Sequence, residues 1–212
     1  MELDNRIANI MKKMEKLSTK NPEFPCGEFP PKWKAPLTES QVADFESKKA
    51  IKIPEDYRRF ITTIASGGTQ PFYGLCGLFD KEMEVSRKYV GKKFPFTINE
   101  PFKLFEMSEE EYEEYWDSRE SDPDDLYGQL ALCDEGCGME SILIVNTDDE
   151  ETYGTVRFYD LSNDFGIMPI INPQTGKPMH FLDWLEYYVD KTLELEDDDY
   201  FSYGELTVNE EK

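Results

Sequence analysis

The sequence predicts an α+β fold: a single domain in which a mainly antiparallel sheet of about five to six strands carries helices packed on it. Three observations predict it. Two punctuated helices follow one another between Leu37 and Gly68, a three-strand meander is marked out between Gln129 and Asp160, and an amphipathic helix closes the pattern from Phe181 to Val189. The order helices, strands, inserted helix, strands, helix lacks the strand-helix alternation that builds a parallel sheet.

In chain order, residues 1–20 carry an apolar stripe, Leu3, Ile7, Ile10, Met11, Met14 and Leu17, at spacings of three and four, with Arg6, Lys12, Lys13 and Lys16 off it. That is an amphipathic helix, free to dock on its own domain or on a second copy. Residues 21–36 hold five prolines and little periodicity, so they read as an extended linker, with Phe24, Phe29 and Trp33 available to pin it to the surface.

Residues 37–195 form the domain proper. Thr38 and Gln41 make a capping box, with Leu37 and Val42 at the positions of a hydrophobic staple. The second helix starts at Pro54, is favoured by Glu55 and Asp56 at the positive end of its dipole, and is closed by Gly67 and Gly68. Tyr57, Phe60, Ile61 and Ile64 make its buried face. Phe72 to Phe79 reads as a first, bent strand and Pro101 to Phe105 as another short one. Ser108 and Glu111 form a second capping box, opening a helix with Tyr112, Tyr115 and Trp116 on one side.

In the meander, Leu130 and Leu132 alternate with Ala131, Asp134 to Gly138 turn, Ile142 to Val145 is the continuous apolar run of a central strand, and Val156 and Phe158 oppose Arg157. The connection from Asn146 to Glu151 places four consecutive acids at an exposed hairpin tip. Gly166 to Ile171 is a further strand, Asn172 to Gly176 a turn, and Phe181, Leu182, Trp184, Leu185, Tyr188 and Val189 the face of the last helix. Residues 196–212 read as an acidic, flexible tail.

These residues carry a resemblance. Thr38 to Phe45, Ile53-Pro54-Glu55-Asp56-Tyr57, the closing Gly67-Gly68, the segment Gln129 to Asp160 and Phe181-Leu182-Asp183-Trp184-Leu185 together resemble the SUKH superfamily, which includes bacterial immunity proteins against polymorphic toxins and a fungal regulator of cell-wall synthesis. The chain departs from that pattern in having Ile53 where Leu is usual, an extra N-terminal helix, and a long connection from Asp80 to Tyr127.

Composition sets the limits of function. The 212 residues suffice for one domain with a real core. Apolar residues make up 39% before glycine is added, the range of globular chains. No apolar run approaches the ~18 residues that span a membrane, and the N-terminal segment is amphipathic rather than a signal peptide, so a cytoplasmic protein without membrane attachment is expected. The net charge of −22 is lopsided: 18 Lys and Arg against 14 Asp and Glu up to Phe105, then 5 against 31, which makes the halves +4 and −26. Such a chain repels phosphate backbones, so no nucleic acid is expected as partner.

Chemistry is sparse. Four cysteines, Cys26, Cys76, Cys133 and Cys137, suit reduced thiols; Cys133 and Cys137 lack the further ligands of a zinc site and read as a buried strand residue and a turn residue. The one histidine, His180, opens the last helix, where a capping or surface role outweighs catalysis. No phosphate loop, dinucleotide motif, metalloprotease helix or EF-hand loop is present. No cofactor, metal or enzymatic activity is therefore expected.

The resemblance, joined to the acidic second half, implies a non-catalytic protein-binding module: an immunity protein that binds and neutralises a basic, nuclease-type toxin domain. The alternative it leaves open is a regulatory or scaffold protein of the cell-wall-synthesis type. The expected contact residues are Asp148, Asp149, Glu150 and Glu151 at the hairpin tip, Asp122, Asp124, Asp125, Asp134 and Glu135 in neighbouring loops, and Tyr127 and Tyr153 as aromatic anchors. Oligomeric state and partner identity are not legible.

Overall fold

A computed structural model describes residues 2–17, 30–196 and 199–207. Among these are six α-helices, α1 (Glu2–Leu17), α2 (Glu39–Lys49), α3 (Glu55–Thr63), α4 (Glu84–Tyr89), α5 (Glu109–Arg119) and α6 (Phe181–Glu194). Five strands, β1 (Phe102–Lys103), β2 (Gln129–Gly136), β3 (Met139–Ile144), β4 (Val156–Asp160) and β5 (Gly166–Pro169), form one sheet in the order β1-β5-β4-β3-β2, and every neighbouring pair is antiparallel. The α+β class and the strand number agree with the sequence expectation.

The sheet is buried on both faces. Leu143, Val156 and Phe158 join the larger core with Ile10, Met14, Val42, Tyr57, Phe60, Trp184 and Tyr188 of the helical layer. Ile142, Ile144, Tyr159 and Ile167 face the other way, into a second cluster completed by Phe94, Phe102, Leu104 and the aromatic side of α5, Tyr112, Tyr115 and Trp116. The continuous apolar run in β3 follows from this, since a strand covered on both sides has no polar face to present. Register keeps the sets apart: Ile142 pairs with Arg157 and Leu143 with Val156, so adjacent residues point to opposite faces.

Both capping boxes form. Thr38 Oγ1 accepts from Gln41 N at 3.2 Å while Gln41 Oε1 accepts from Thr38 N at 2.9 Å, and Ser108 and Glu111 repeat the exchange at the start of α5. The α1 helix docks on its own domain: Ile7, Ile10, Met14 and Leu17 are buried against α6 and α3. Around that seam Arg6 pairs with Asp183 at 2.6 Å and Glu186 at 3.1 Å, Lys13 with Glu186 and Asp190, and Arg59 with Asp4. The apolar burial contributes most, about 1.5–3 kcal/mol per side chain as an upper bound, whereas half-exposed ion pairs contribute about 1 kcal/mol or less each.

Three expectations change. Phe72 to Phe79 is a run of turns joined to the sheet by one bridge, Leu75 to Cys133, with Phe72 at φ 46°; Phe72, Leu75 and Leu78 are buried as plugs while Tyr73 and Phe79 are exposed, and the run is not paired as a strand. Helix α3 ends at Thr63, before the two glycines. Those glycines serve close approach: a Cβ on Gly68 would meet the Trp33 ring at 2.4 Å, and one on Gly67 would meet backbone at 2.9 Å. Trp33 bridges Gly68 and packs edge-on to Phe60, so the linker is pinned there, while Phe24 and Phe29 lie outside the described residues. The expected flexible tail is docked where described: Phe201 and Tyr203 are buried beneath Phe72 and Tyr187, and Thr207 bridges Ile170. Residues 197–198 and 208–212 lie outside the description. The aromatic residues in that acidic stretch outweigh its charge, because two buried rings gain several kcal/mol of transfer free energy.

Candidate partner-binding site

The acidic loops meet at one end of the sheet. The loop entering β2 and the loop leaving β3 are held side by side at Gly128, whose carbonyl accepts from Val145 N at 2.8 Å and Asn146 N at 3.0 Å. Gly128 is left-handed at φ 58°, and a Cβ there would lie 2.1 Å from Asn146 O and 2.6 Å from Phe94 N, so a third strand of chain, residues 90–94, closes on the same point. Asn146, buried, fastens it: Asn146 O accepts from Phe94 N at 2.8 Å, and its side-chain amide donates to Lys92 O at 2.9 Å and Val90 O at 3.3 Å. Three segments far apart in sequence are thereby fixed together.

Most of the expected contact residues gather on this end. Asp148, Glu150 and Glu151 are exposed at the tip. Asp149 is partly turned inward, taking the Thr152 hydroxyl at 2.5 Å, while its carbonyl accepts from Thr152 N and Tyr153 N; it shapes the turn as well as charging it. Beneath the tip lies Arg157, 1% exposed, which donates to Thr152 Oγ1 at 3.1 Å and has no ion-pair partner among the described residues; its Nε makes no hydrogen bond. Burial pulls this guanidinium's pKa down, and the Asp149 charge opposes the shift. Tyr153 is half-buried, donates to Lys52 O at 3.2 Å, and borders a groove of about 540 Å³ with Pro54, Asp56 and His180.

On the neighbouring loop Asp122 is exposed and Asp124 half-buried, its carboxyl held above the usual range by desolvation. Tyr127 stacks on Tyr89 with ring centroids 6.0 Å apart and donates to Asp122, which holds the Asp122 pKa down. Two lysines cross over from the 90–94 segment: Lys92 pairs with Asp122 at 3.0 Å and Lys93 with Asp148 at 3.1 Å.

Three of the expected residues stand apart. Asp125 is fully buried and forked by Arg119 Nε and Nη2 at 2.9 Å each, and takes the Tyr159 hydroxyl at 2.7 Å. It braces α5 to the sheet and faces no partner, because a bidentate buried pair is broken only at large cost. Glu135, 4% exposed, accepts from Ser141 Oγ at 2.6 Å and from Tyr203 N at 3.2 Å, tying the C-terminal segment to the sheet; burial pushes its pKa up to about 7. Asp134 is exposed but lies near the end of β2, where it accepts from Gly136 N at 2.6 Å beside the β2–β3 turn, at the opposite end of the sheet from the tip.

Sequence reasoning missed Lys92, Lys93, Tyr89 and the clamp role of Asn146. The basic run Arg87 to Lys93 is visible in the sequence, but nothing local places it beside acids some 30 to 55 residues away. His180 is exposed and opens α6, its N–H taken by Asp183 Oδ2 at 3.1 Å. Cys133 is buried on β2, with burial raising its thiol pKa, and Cys137 is exposed in the turn. Among the described residues no helix is long and apolar enough to cross a membrane, and no group of three or more His, Cys, Asp and Glu residues is placed to hold a metal ion.

A five-stranded antiparallel sheet, covered by two early helices and a final one and presenting loops at one end, defines a single-domain α+β protein of SUKH type. The chain belongs to the SMI1 / KNR4 family (SUKH-1), whose family model matches residues 36–176, more than half of its length. No curated protein and no solved structure matches it. The family match stops short of α1 and α6, so the seam between them lies outside the matched region.

Proposed function

We propose that this chain is a non-catalytic protein-binding module of the cytoplasm, an immunity protein that neutralises a basic, nuclease-type toxin domain. Family membership is consistent with an immunity-type or regulator-type module. The observation that favours the first is the fixed acidic end of the sheet, where Asp122, Asp148, Glu150 and Glu151 face water on loops locked together at Gly128. A nuclease needs a basic cleft for phosphate, and carboxylates carried on fixed loops compete for the same cations while steering the encounter.

The test is growth rescue on co-expression with the toxin encoded beside the gene, together with binding of the purified pair. A triple variant, Asp148→Lys, Glu150→Lys and Glu151→Lys, leaves Asp149 to hold the turn. It is expected to slow association by about tenfold or more and to flatten its salt dependence. Unchanged kinetics would remove the tip from the interface, and an isolated gene or one among cell-wall genes would favour the regulatory alternative.

A further inference from the structure

The loop entering β2 contains a cation site that is already occupied. The Lys92 ammonium lies 4.1 Å from the centre of the Tyr127 ring and 5.9 Å from that of Tyr89, donates to the Tyr127 hydroxyl, and pairs with Asp122 at 3.0 Å. The two rings are stacked within 29° of parallel, and Tyr127 donates to Asp122, so rings and carboxylate are pre-set around one cation. Lys88 sits over the far part of the arrangement, 4.6 Å from Tyr89. An aromatic surface with a carboxylate at its rim is the environment that attracts cationic side chains.

We propose that Tyr89, Tyr127 and Asp122 form an exchangeable cage for an arginine side chain of a protein partner, kept filled by Lys92 in the free chain. Exchange needs only side-chain rotation. The Lys92 backbone is clamped by Asn146, whereas its ammonium and the Asp122 carboxylate are open to water, with side chains 51% and 66% exposed. A pair so exposed holds weakly. Arginine is the better occupant: its planar guanidinium stacks on a ring while forking to a carboxylate, which an ammonium cannot do. An entering cation must displace Lys92 from this one position. The protein origin of the arginine rests on the functional reading above, but the cage does not.

The experiment is a titration of the full chain and of Lys92→Ala with N-acetyl-arginine amide, read by NMR at the ring signals of labelled tyrosine. Lys92 is exposed, so its truncation leaves the fold intact. Lys92→Ala is expected to bind in the millimolar range, roughly fivefold more tightly than the unaltered chain, since the resident competitor is gone. Adding Asp122→Asn is expected to lower that affinity by about threefold or more. Ring signals of Tyr89 and Tyr127 that do not move in Lys92→Ala, or an affinity indifferent to both Lys92 and Asp122, would overturn the cage. Because the probe is a free amide, this outcome is independent of the toxin: failure of growth rescue beside an intact cage overturns the immunity reading alone.

Discussion

Glu135 makes the stability of this protein depend on pH in a direction opposite to that of a salt-bridged acid. Its carboxylate is buried between β2, β3 and the C-terminal segment, where it accepts from Ser141 Oγ at 2.6 Å, Tyr203 N at 3.2 Å and Ser202 Oγ at 3.4 Å. Those donors favour the charged form and Asp134 opposes it, but no cation is paired with Glu135 among the described residues and desolvation dominates, raising the pKa from 4.5 to about 7. Between those two values the unfolded chain releases a proton that the folded chain keeps. Stability is therefore fully present below about pH 4.5, falls as pH rises through the window, and levels off above pH 7. A difference of that size corresponds to about 3 kcal/mol at pH 8. Glu135→Gln keeps the shape and a carbonyl for Tyr203 N while removing the titration. Urea unfolding at pH 5 and pH 8 should find the variant within about 1 kcal/mol of the parent at the lower pH and more stable by up to about 3 kcal/mol at the higher. Asp56, Asp124 and Glu140 are also raised by desolvation and slope the same way, so the difference between the two proteins, not either curve alone, isolates Glu135. Equal pH dependence in parent and variant would refute the argument.

Three further perturbations follow from the packing. Tyr203→Ala removes a buried ring stacked on Trp184 and should destabilise by about 3–5 kcal/mol in urea unfolding, whereas a change under about 0.5 kcal/mol would mean that the C-terminal segment is not docked. Ile10→Ala, on the buried face of α1, should lose about 2–5 kcal/mol, while Arg6→Ala at the half-exposed edge of the same seam should lose far less. Gly128→Ala meets both a left-handed backbone and the Asn146 carbonyl, so it should lose about 2 kcal/mol or more, with amide shifts spreading to Lys92 and Asp148.

What was legible in the sequence was local. Thr38 with Gln41 and Ser108 with Glu111 announce their helices because a capping box is built within four residues, and the continuous apolar run of β3 announces a central strand because a strand covered on both faces has no polar side to present. Phe72 to Phe79 misled because a short apolar run marks burial without saying how its backbone is paired. The tail's charge density suggests disorder, yet its two aromatic anchors, Phe201 and Tyr203, are buried.

The acidic residues divide along the same line. Sequence alone determined that the second half would carry the negative charge, that the 146–151 connection would be a turn, and that two early helices would bury their apolar faces. Only the tertiary structure decided which acids are taken up by internal contacts. Asp125 is consumed by Arg119 and Tyr159, Glu135 by the C-terminal segment, and Asp122 and Asp148 are shared with Lys92 and Lys93, leaving Glu150 and Glu151 exposed at the tip. The physical reason is range: capping and periodicity act over a few residues, whereas desolvation and ion pairing depend on which distant segments the core brings together, here through the close approach permitted at Gly128.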